Sequence, residues 1–371
     1  YSSIVLQTCS NRKKRLIMVE KKVIAGIQQM GIGVAKVHEA WAWYRKHFSM
    51  DIEVFEEEAV AQLMLPHTND KPIPRHAILA LNMQGGGGFE IWQQTKYKPE
   101  PPTFDVQLGD LGLYLCKIKC RNVEVFYETC KSNNLDIQGE LVTDPAGRHT
   151  FYLKDPYGNI FQAVESKEWY RNEGKPTGGT YGCTIGVSDI EKSLVVYQDI
   201  LGHDEVVYDE TGSFNDLAAL PGGTGRVRRV LLRNSKPRKG AFAKVLGSSE
   251  MELVQVLDRQ PEKIFKDRIW GDLGFIHLCF ETHRMDLLKE ECAEKGFNFT
   301  VDSANSFDMG VAAGRFAYIE DPDGGLIEFV ETHKLPMIKK IGWFMKLEGR
   351  DPEKSLPKWM LNTLAWKRKK D

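Results

Sequence analysis

Glu328 lies in the run Leu326-Ile327-Glu328-Phe329-Val330, which reads as a buried strand. A carboxylate in such a strand is costly unless it is paired or bound to a metal ion. The alternative is an edge strand that turns Glu328 to solvent. Glu90 (Phe89-Glu90-Ile91-Trp92-Gln93) and Glu252 (Met251-Glu252-Leu253-Val254-Gln255) have similar settings. His277 stands in Phe275-Ile276-His277-Leu278-Cys279-Phe280. On that string alone a core histidine with satisfied ring nitrogens is the commoner outcome.

The elements that hold these residues recur. Asp321-Pro-Asp-Gly-Gly before Glu328 is turn chemistry, and Asp155-Pro-Tyr-Gly-Asn precedes Ile160-Phe161-Gln162 in the same way. Gly109-Asp-Leu-Gly112 returns as Gly271-Asp-Leu-Gly274, and Glu90 as Glu252, both at an offset of 252 − 90 = 162. Gly33-Val34 with Tyr44 returns as Gly186-Val187 with Tyr197 at 186 − 33 = 153. The order is kept and the offsets drift slightly, as in a tandem duplication of a unit of roughly 150 residues.

Each half reads as strand, helix, strands, with helices over 37–48, 123–132, 190–200 and 284–294. The first is rich in aromatics: Trp41, Trp43, Tyr44 and Phe48. Gly85 to Gly88 lacks the Lys-Ser/Thr of a phosphate loop and precedes a strand, so it reads as a flexible hairpin or a close backbone approach to a ligand. The expected division is a leader at 1–22, with Met18 a natural start, a first domain at 23–168, a linker at 169–180, a second domain at 181–332 and a tail at 333–371. The tail carries Trp343, Phe344, Trp359 and Trp366 and ends in Lys367-Arg-Lys-Lys370. It is expected to pack back on the core or on a partner subunit.

A net charge of −1 and a pI near 6.8 leave no basic field that would imply a nucleic-acid partner. No apolar run approaches the ~20 residues that span a membrane. Seven cysteines without CxxC spacing point to buried, reduced thiols and a cytoplasmic setting.

Val187-Ser-Asp189-Ile-Glu-Lys-Ser-Leu194 up to Tyr197, Leu201-Gly202, and Asp321-Pro-Asp-Gly-Gly-Leu-Ile-Glu328 carry a resemblance to the vicinal oxygen chelate superfamily of glyoxalases, bleomycin-resistance proteins and extradiol dioxygenases. It covers about residues 27–166 and 180–331. The resemblance implies an α+β fold of tandem βαβββ modules, four in all, forming curled mixed sheets around a cleft. It also implies a divalent metal ion (Zn, Ni, Co, Mn or Fe) and a small-molecule substrate with vicinal oxygens, in a chain able to form a homodimer.

Ligands in that superfamily come from the first and last strands of each module. Here these positions are Gln29 and Glu90, Leu115 and Gln162, Gly182 and Glu252, and His277 and Glu328. If the first module pairs with the fourth, one cleft holds Gln29, Glu90, His277 and Glu328. If the third pairs with the fourth, the cleft holds Glu252, His277 and Glu328. The resemblance makes Glu328 and Glu90 the proton-transferring carboxylates of a metal-dependent lyase or isomerase acting alpha to a carbonyl. An Fe(II) dioxygenase and a metal-free binding protein are the alternatives. The positions at which glutathione-type glyoxalases carry arginine are Gly33 and Leu273, which argues against glutathione. The remaining histidines show no ligand spacing and read as surface or structural.

Overall fold

Strand-forming runs bounded by Gly, Pro and Asp turns fold into four copies of one plan: a strand, a helix and three strands. The computed structural model describes residues 21–304, 307–308, 313–338, 343–347 and 349–370. The expected leader, apart from Lys21 and Lys22, lies outside the described residues.

The first module is β1 (Val23–Gly33), α1 (Val37–Phe48), β2 (Ile52–Ala61), β3 (Ile73–Leu81) and β4 (Gly88–Gln94). The second is β5 (Gly112–Cys120), α2 (Val123–Ser132), β6 (Asp136–Thr143), β7 (His149–Lys154) and β8 (Ile160–Glu165). The third opens with β9 (Thr177–Gly186) and α3 (Ile190–Leu194), which continues as a π-helical turn over Val195–Ile200. It goes on through β10 (Glu205–Gly212), β11 (Val227–Arg233), the short α4 (Ala243–Leu246) and β12 (Glu250–Val256). The fourth is β13 (Gly274–His283), α5 (Met285–Glu294), β14 (Val301–Asp302), β15 (Phe307–Asp308), β16 (Ala313–Glu320) and β17 (Leu326–Ile338). β18 (Trp343–Lys346) and α6 (Lys358–Asn362) follow.

Two curled mixed sheets result. One runs β14-β16-β17-β13-β1-β4-β3-β2, with β15 on β16 and β18 on β17; the other runs β10-β11-β12-β9-β5-β8-β7-β6. The first module therefore shares a sheet with the fourth, and the second with the third. β1 lies antiparallel to β13 and parallel to β4, with Gly31 opposite both His277 and Glu90.

The main core lies where the two sheets and their helices meet. Trp41, Tyr44, Phe48, Phe89, Phe126, Phe161 and Tyr197 are fully buried there or nearly so. The repeated turn aspartates join the modules within each half. Tyr44 donates its hydroxyl to Asp155 Oδ2 at 2.6 Å, and Tyr197 donates to Asp321 Oδ2 at 2.7 Å. Each carboxylate also accepts backbone N–H groups of its own turn. One residue thus closes a turn and ties two sheets together.

The glycine run has a use different from the one expected. Gly86 N–H donates to Val245 O, Gly87 N–H to Thr180 O, and Gly179 N–H to Gly85 O, at 2.7–2.9 Å. A Cβ on Gly86, whose φ is +104°, would lie 2.9 Å from the Gly179 backbone. The close approach is to the chain's own third module, not to a ligand. For the same reason β9 begins at Thr177, within the stretch expected to be a linker.

The described part of the tail packs on the first and third modules, and its β18 pairs with β17 of the fourth. Leu347, Leu356 and Leu361 join Ile52, Leu81, Met83 and Tyr170, and Arg368 pairs with Asp51 and Glu173. Trp359 and Trp366 are exposed, and the side chains of Trp343 and Phe344 lie outside the described set. The six cysteines among the described residues are buried and free. No helix among them is long and apolar enough to cross a membrane.

Candidate metal centre

The register of four strands brings Gln29 (β1), Glu90 (β4), His277 (β13) and Glu328 (β17) onto the concave face of the first-and-fourth-module sheet. His277 is fully buried, and the other three are less than a tenth exposed. His277 Nε2 lies 3.2 Å from Glu90 Oε2 and 3.2 Å from Glu328 Oε2, yet it hydrogen-bonds to neither. Gln29 Nε2 approaches the same two oxygens at 3.5 and 3.4 Å, and Gln29 Oε1 has no partner. These side chains are aimed at a shared point rather than at one another.

Burial alone would depress the His277 imidazole. The Glu328 and Glu90 carboxylates outweigh that and push it up to about 9. Burial raises the Glu90 carboxyl, but His277 and then Arg75 bring it below its usual range. Ligand bonds of ~2.1 Å place neighbouring ligand atoms ~3.0–3.4 Å apart, so the spacing here fits a single divalent ion. The orphaned Gln29 Oε1 and His277 Nε2 fit the same occupant. One imidazole, two carboxylates and an amide form a borderline-to-hard donor set.

Local sequence makes the cradle. A Cβ at Gly31 would fall 2.4 Å from the His277 ring, so only glycine lets that ring lie across β1. Tyr318 sits opposite Glu328 in register and meets His277 edge-on at 5.6 Å. Trp270 lies on the segment between β12 and β13 and stacks over His277, with ring centroids 6.4 Å apart and planes 19° apart. Asp272 anchors that segment by accepting from Gln94 Nε2, Glu100 N–H and Ile269 N–H. Met64, Leu79, Trp92 and Ile276 add an apolar wall. Gly31, Tyr318, Trp270 and Trp92 were not read as site residues. The repeated Gly-Asp-Leu-Gly, which begins directly after Trp270, was the available signal for the last loop.

The other candidate positions lie elsewhere. Glu252, the alternative ligand, belongs to the opposite sheet and does not join His277. Its oxygens accept from Lys117 Nζ at 2.8 Å, Tyr208 hydroxyl at 2.8 Å, Thr184 Oγ1 at 3.1 Å and Arg229 Nη2 at 2.5 Å. Arg229 also holds Asp216. Burial would raise the Glu252 carboxyl, but Arg229 and Lys117 hold it well below the usual range. Leu115 packs in an apolar cluster, Gln162 donates to Thr150 Oγ1, and a Cβ on Gly182 would collide with Glu250 O. That sheet cannot present a ligand set, and the extradiol-like trio of Glu252, His277 and Glu328 does not form.

A second histidine group appears on the outside. His38 Nε2 and His76 Nε2 approach Glu56 Oε1 at 3.3 and 2.9 Å. Its proximity arises from α1 lying on β2 and β3, which no spacing in the chain announces. His203 is wholly buried and bonded through both ring nitrogens.

Residues 182–329 match the family model described as the Glyoxalase/Bleomycin resistance protein/Dioxygenase superfamily. Among solved structures, glyoxalase I from Zea mays superposes with a TM-score of 0.50 at 13% identity, covering 84% of this chain and 92% of that one. A proposed dioxygenase from Bacillus subtilis superposes with a TM-score of 0.53 at 15% identity, covering 84% and 86%. At these identities the likeness is one of fold. A comparison with curated protein sequences finds no match.

Proposed function

We propose that the chain, whose residues 182–329 match the glyoxalase, bleomycin resistance protein and dioxygenase superfamily, is a metal-dependent lyase or isomerase acting alpha to a carbonyl of a small molecule. The observation that carries this reading is the buried quartet of Gln29, Glu90, His277 and Glu328, whose polar atoms converge with only two long bonds from Gln29 Nε2 to the carboxylates and with Gln29 Oε1 and His277 Nε2 unpartnered. Those four side chains would hold a divalent ion, which when bound supplies Lewis acidity toward a carbonyl and an enolate oxygen.

The remaining chemistry belongs to the protein. Glu328 and Glu90 flank His277 and give a carboxylate on each side of a bound substrate. Either can take the proton alpha to the carbonyl and return it, and the two together serve opposite faces. Trp270 and Tyr318 close over the imidazole and keep water from a carbanion-like intermediate. The apolar wall suits a small substrate whose polar atoms are its vicinal oxygens. Buried free thiols agree with a cytoplasmic setting, and a homodimer is compatible with the fold.

Elemental analysis of the purified protein tests the centre. About one divalent ion per chain is expected in the wild type. It should be lost in His277→Ala and Glu328→Ala, diminished in Glu90→Ala and kept in Glu252→Gln. Wild-type protein that takes up no ion after reconstitution would sink the enzymatic reading and favour a metal-free binding protein.

A further inference from the structure

Twelve buried side-chain nitrogens and oxygens lack a hydrogen-bond partner among the described residues, and six of them belong to the neighbouring residues Gln29, His277, Trp270, Trp92 and Arg75. Gln29 Oε1 and His277 Nε2 fit a metal ion, and His277 Nδ1 lies on the far side of the same ring. The other three are Arg75 Nη1, Trp92 Nε1 and Trp270 Nε1. All three are donors, so a metal ion cannot satisfy them. Whatever does must bring acceptors.

The three donors lie along one line leading away from the metal centre. β3 and β4 pair Leu79 with Glu90, Ala77 with Trp92 and Arg75 with Gln94, which places Arg75 on the Glu90 face two pairs farther out. The Arg75 guanidinium lies 5.9 Å from the Trp92 ring centre, and the Trp92 and Trp270 rings meet edge-on at 4.3 Å. Trp270 in turn covers His277. Arg75 keeps 12% side-chain exposure, which marks the outer end of the line.

We propose that Arg75, Trp92 and Trp270 form an anion subsite that receives a carboxylate carried by the substrate, so that the substrate is an oxygenated carbonyl compound with an acid tail. The proposal rests on the metal-centre reading for the position of the carbonyl end. Arg75 Nη2 is already held by Glu57 Oε2 at 2.8 Å, so one carboxylate of the protein has cancelled most of its charge. A singly charged group with two acceptor oxygens matches what remains: one guanidinium arm and two indole N–H groups. A doubly charged phosphate would stay undercompensated against Met64, Leu79 and Ile276. The site also differs from the Gly33 and Leu273 positions, where arginines would hold glutathione in similar proteins.

Chelating probes test the subsite. Acetohydroxamate binds a metal through vicinal oxygens and has no acid. The monohydroxamates of succinate, glutarate and adipate add a carboxylate at increasing reach. Calorimetric titration of zinc-loaded protein should find at least one acid-tailed probe about tenfold tighter than acetohydroxamate. Arg75→Gln should bring that ratio to about one. Trp270→Phe, which keeps a ring but loses the N–H, should lower the ratio about threefold. Equal affinities in the wild type would overturn the subsite. So would an Arg75→Gln variant that weakens every probe alike, because Arg75 would then act only by supporting Glu90. If the protein takes up no zinc, the enzymatic reading fails separately. Titration of the metal-free protein with succinate then decides the subsite: heat present in the wild type and absent in Arg75→Gln supports it, and no heat in either overturns it.

Discussion

Two clefts of common plan sit on opposite sheets and have met the problem of buried charge in opposite ways. In one, Glu252 is neutralised by Lys117 and Arg229, and Tyr208 and Thr184 fill its remaining lone pairs. In the other, the matching Glu90 faces a second carboxylate and an imidazole, with Gln29 where the third module has Gly182. Around Glu252 the first cleft supplies its own cations and donors. The second leaves the Arg75, Trp92 and Trp270 donors without acceptors and sets its two carboxylates on a single imidazole. A duplicated scaffold can therefore keep one copy for rigidity and leave the other open for a ligand.

The largest effect should come from breaking the closed cleft. Glu252→Ala strands Lys117 in the interior, leaves Arg229 with the carboxylate of Asp216 alone, and should cost about 3–5 kcal/mol in urea unfolding. A loss below about 1 kcal/mol would mean that the network is not what holds that sheet. Glu90→Ala, by contrast, should leave the metal-free protein nearly as stable as the wild type, because it removes one of two adjacent carboxylates.

Next comes the response to metal. A divalent ion at a hundredfold excess over its Kd should raise wild-type stability by about 2.7 kcal/mol, seen as a higher Tm. Glu90→Ala should lose most of that shift and Glu252→Gln none of it. Equal shifts in both variants would erase the distinction between the clefts.

A smaller effect should come from the tyrosine that joins the halves of the second copy. Tyr197→Phe leaves the buried Asp321 carboxyl without its hydroxyl donor and should cost about 1–3 kcal/mol. Tyr44→Phe should behave alike at Asp155.

The subtlest contrast is in pH dependence. Glu281 and Lys119 occupy matched places on β13 and β5, at the same offset of 281 − 119 = 162. Burial pushes the Glu281 carboxyl up to about 8, against the pull of Thr332 and Gln28. The folded state then holds a proton that the unfolded state has released, so stability falls as pH rises from about 4.5 to 8. Burial brings Lys119, set against the Trp169 and Tyr181 rings, down to about 8. There the unfolded state holds the extra proton, and stability rises between pH 8 and about 10.5. Thermal melts across pH should show the falling limb flattened in Glu281→Gln and the rising limb flattened in Lys119→Met. A limb unchanged in its variant would refute that assignment.

Much of the frame was legible because duplication repeats its landmarks. The module plan, the helices over 37–48 and 123–132, and the aspartate turns follow from local pattern. The side chains that meet at His277 followed from the repeat up to one ambiguity, the choice of module pairing. Nothing local decides that choice, because the β1 to β13 contact joins segments about 250 residues apart in the chain, and the hydrogen bonds that make it use no side chain. Trp270 and Arg75 were missed for a related reason: one lies on a crossing loop, and the position that matches the other in the second copy is Val227. The glycine run was misread because a close approach looks the same in sequence whether the neighbour is a ligand or the chain itself.

The placement of β1 beside β13 has a consequence for how the protein is made. The 293 residues from Gly33 to Leu326 (326 − 33) separate the first strand of the centre from the last. At ~5–20 residues per second, a ribosome takes ~15–60 s to cover that distance. Until β13 begins, 241 residues after Gly33 (274 − 33), β1 presents an unpaired edge to its surroundings, a template for the wrong strand. Gln29 and Glu90 emerge early and can hold little by themselves. The proposed quartet comes into being only when Glu328 emerges, so on that proposal the growing chain would have no complete metal site before its fold is closed.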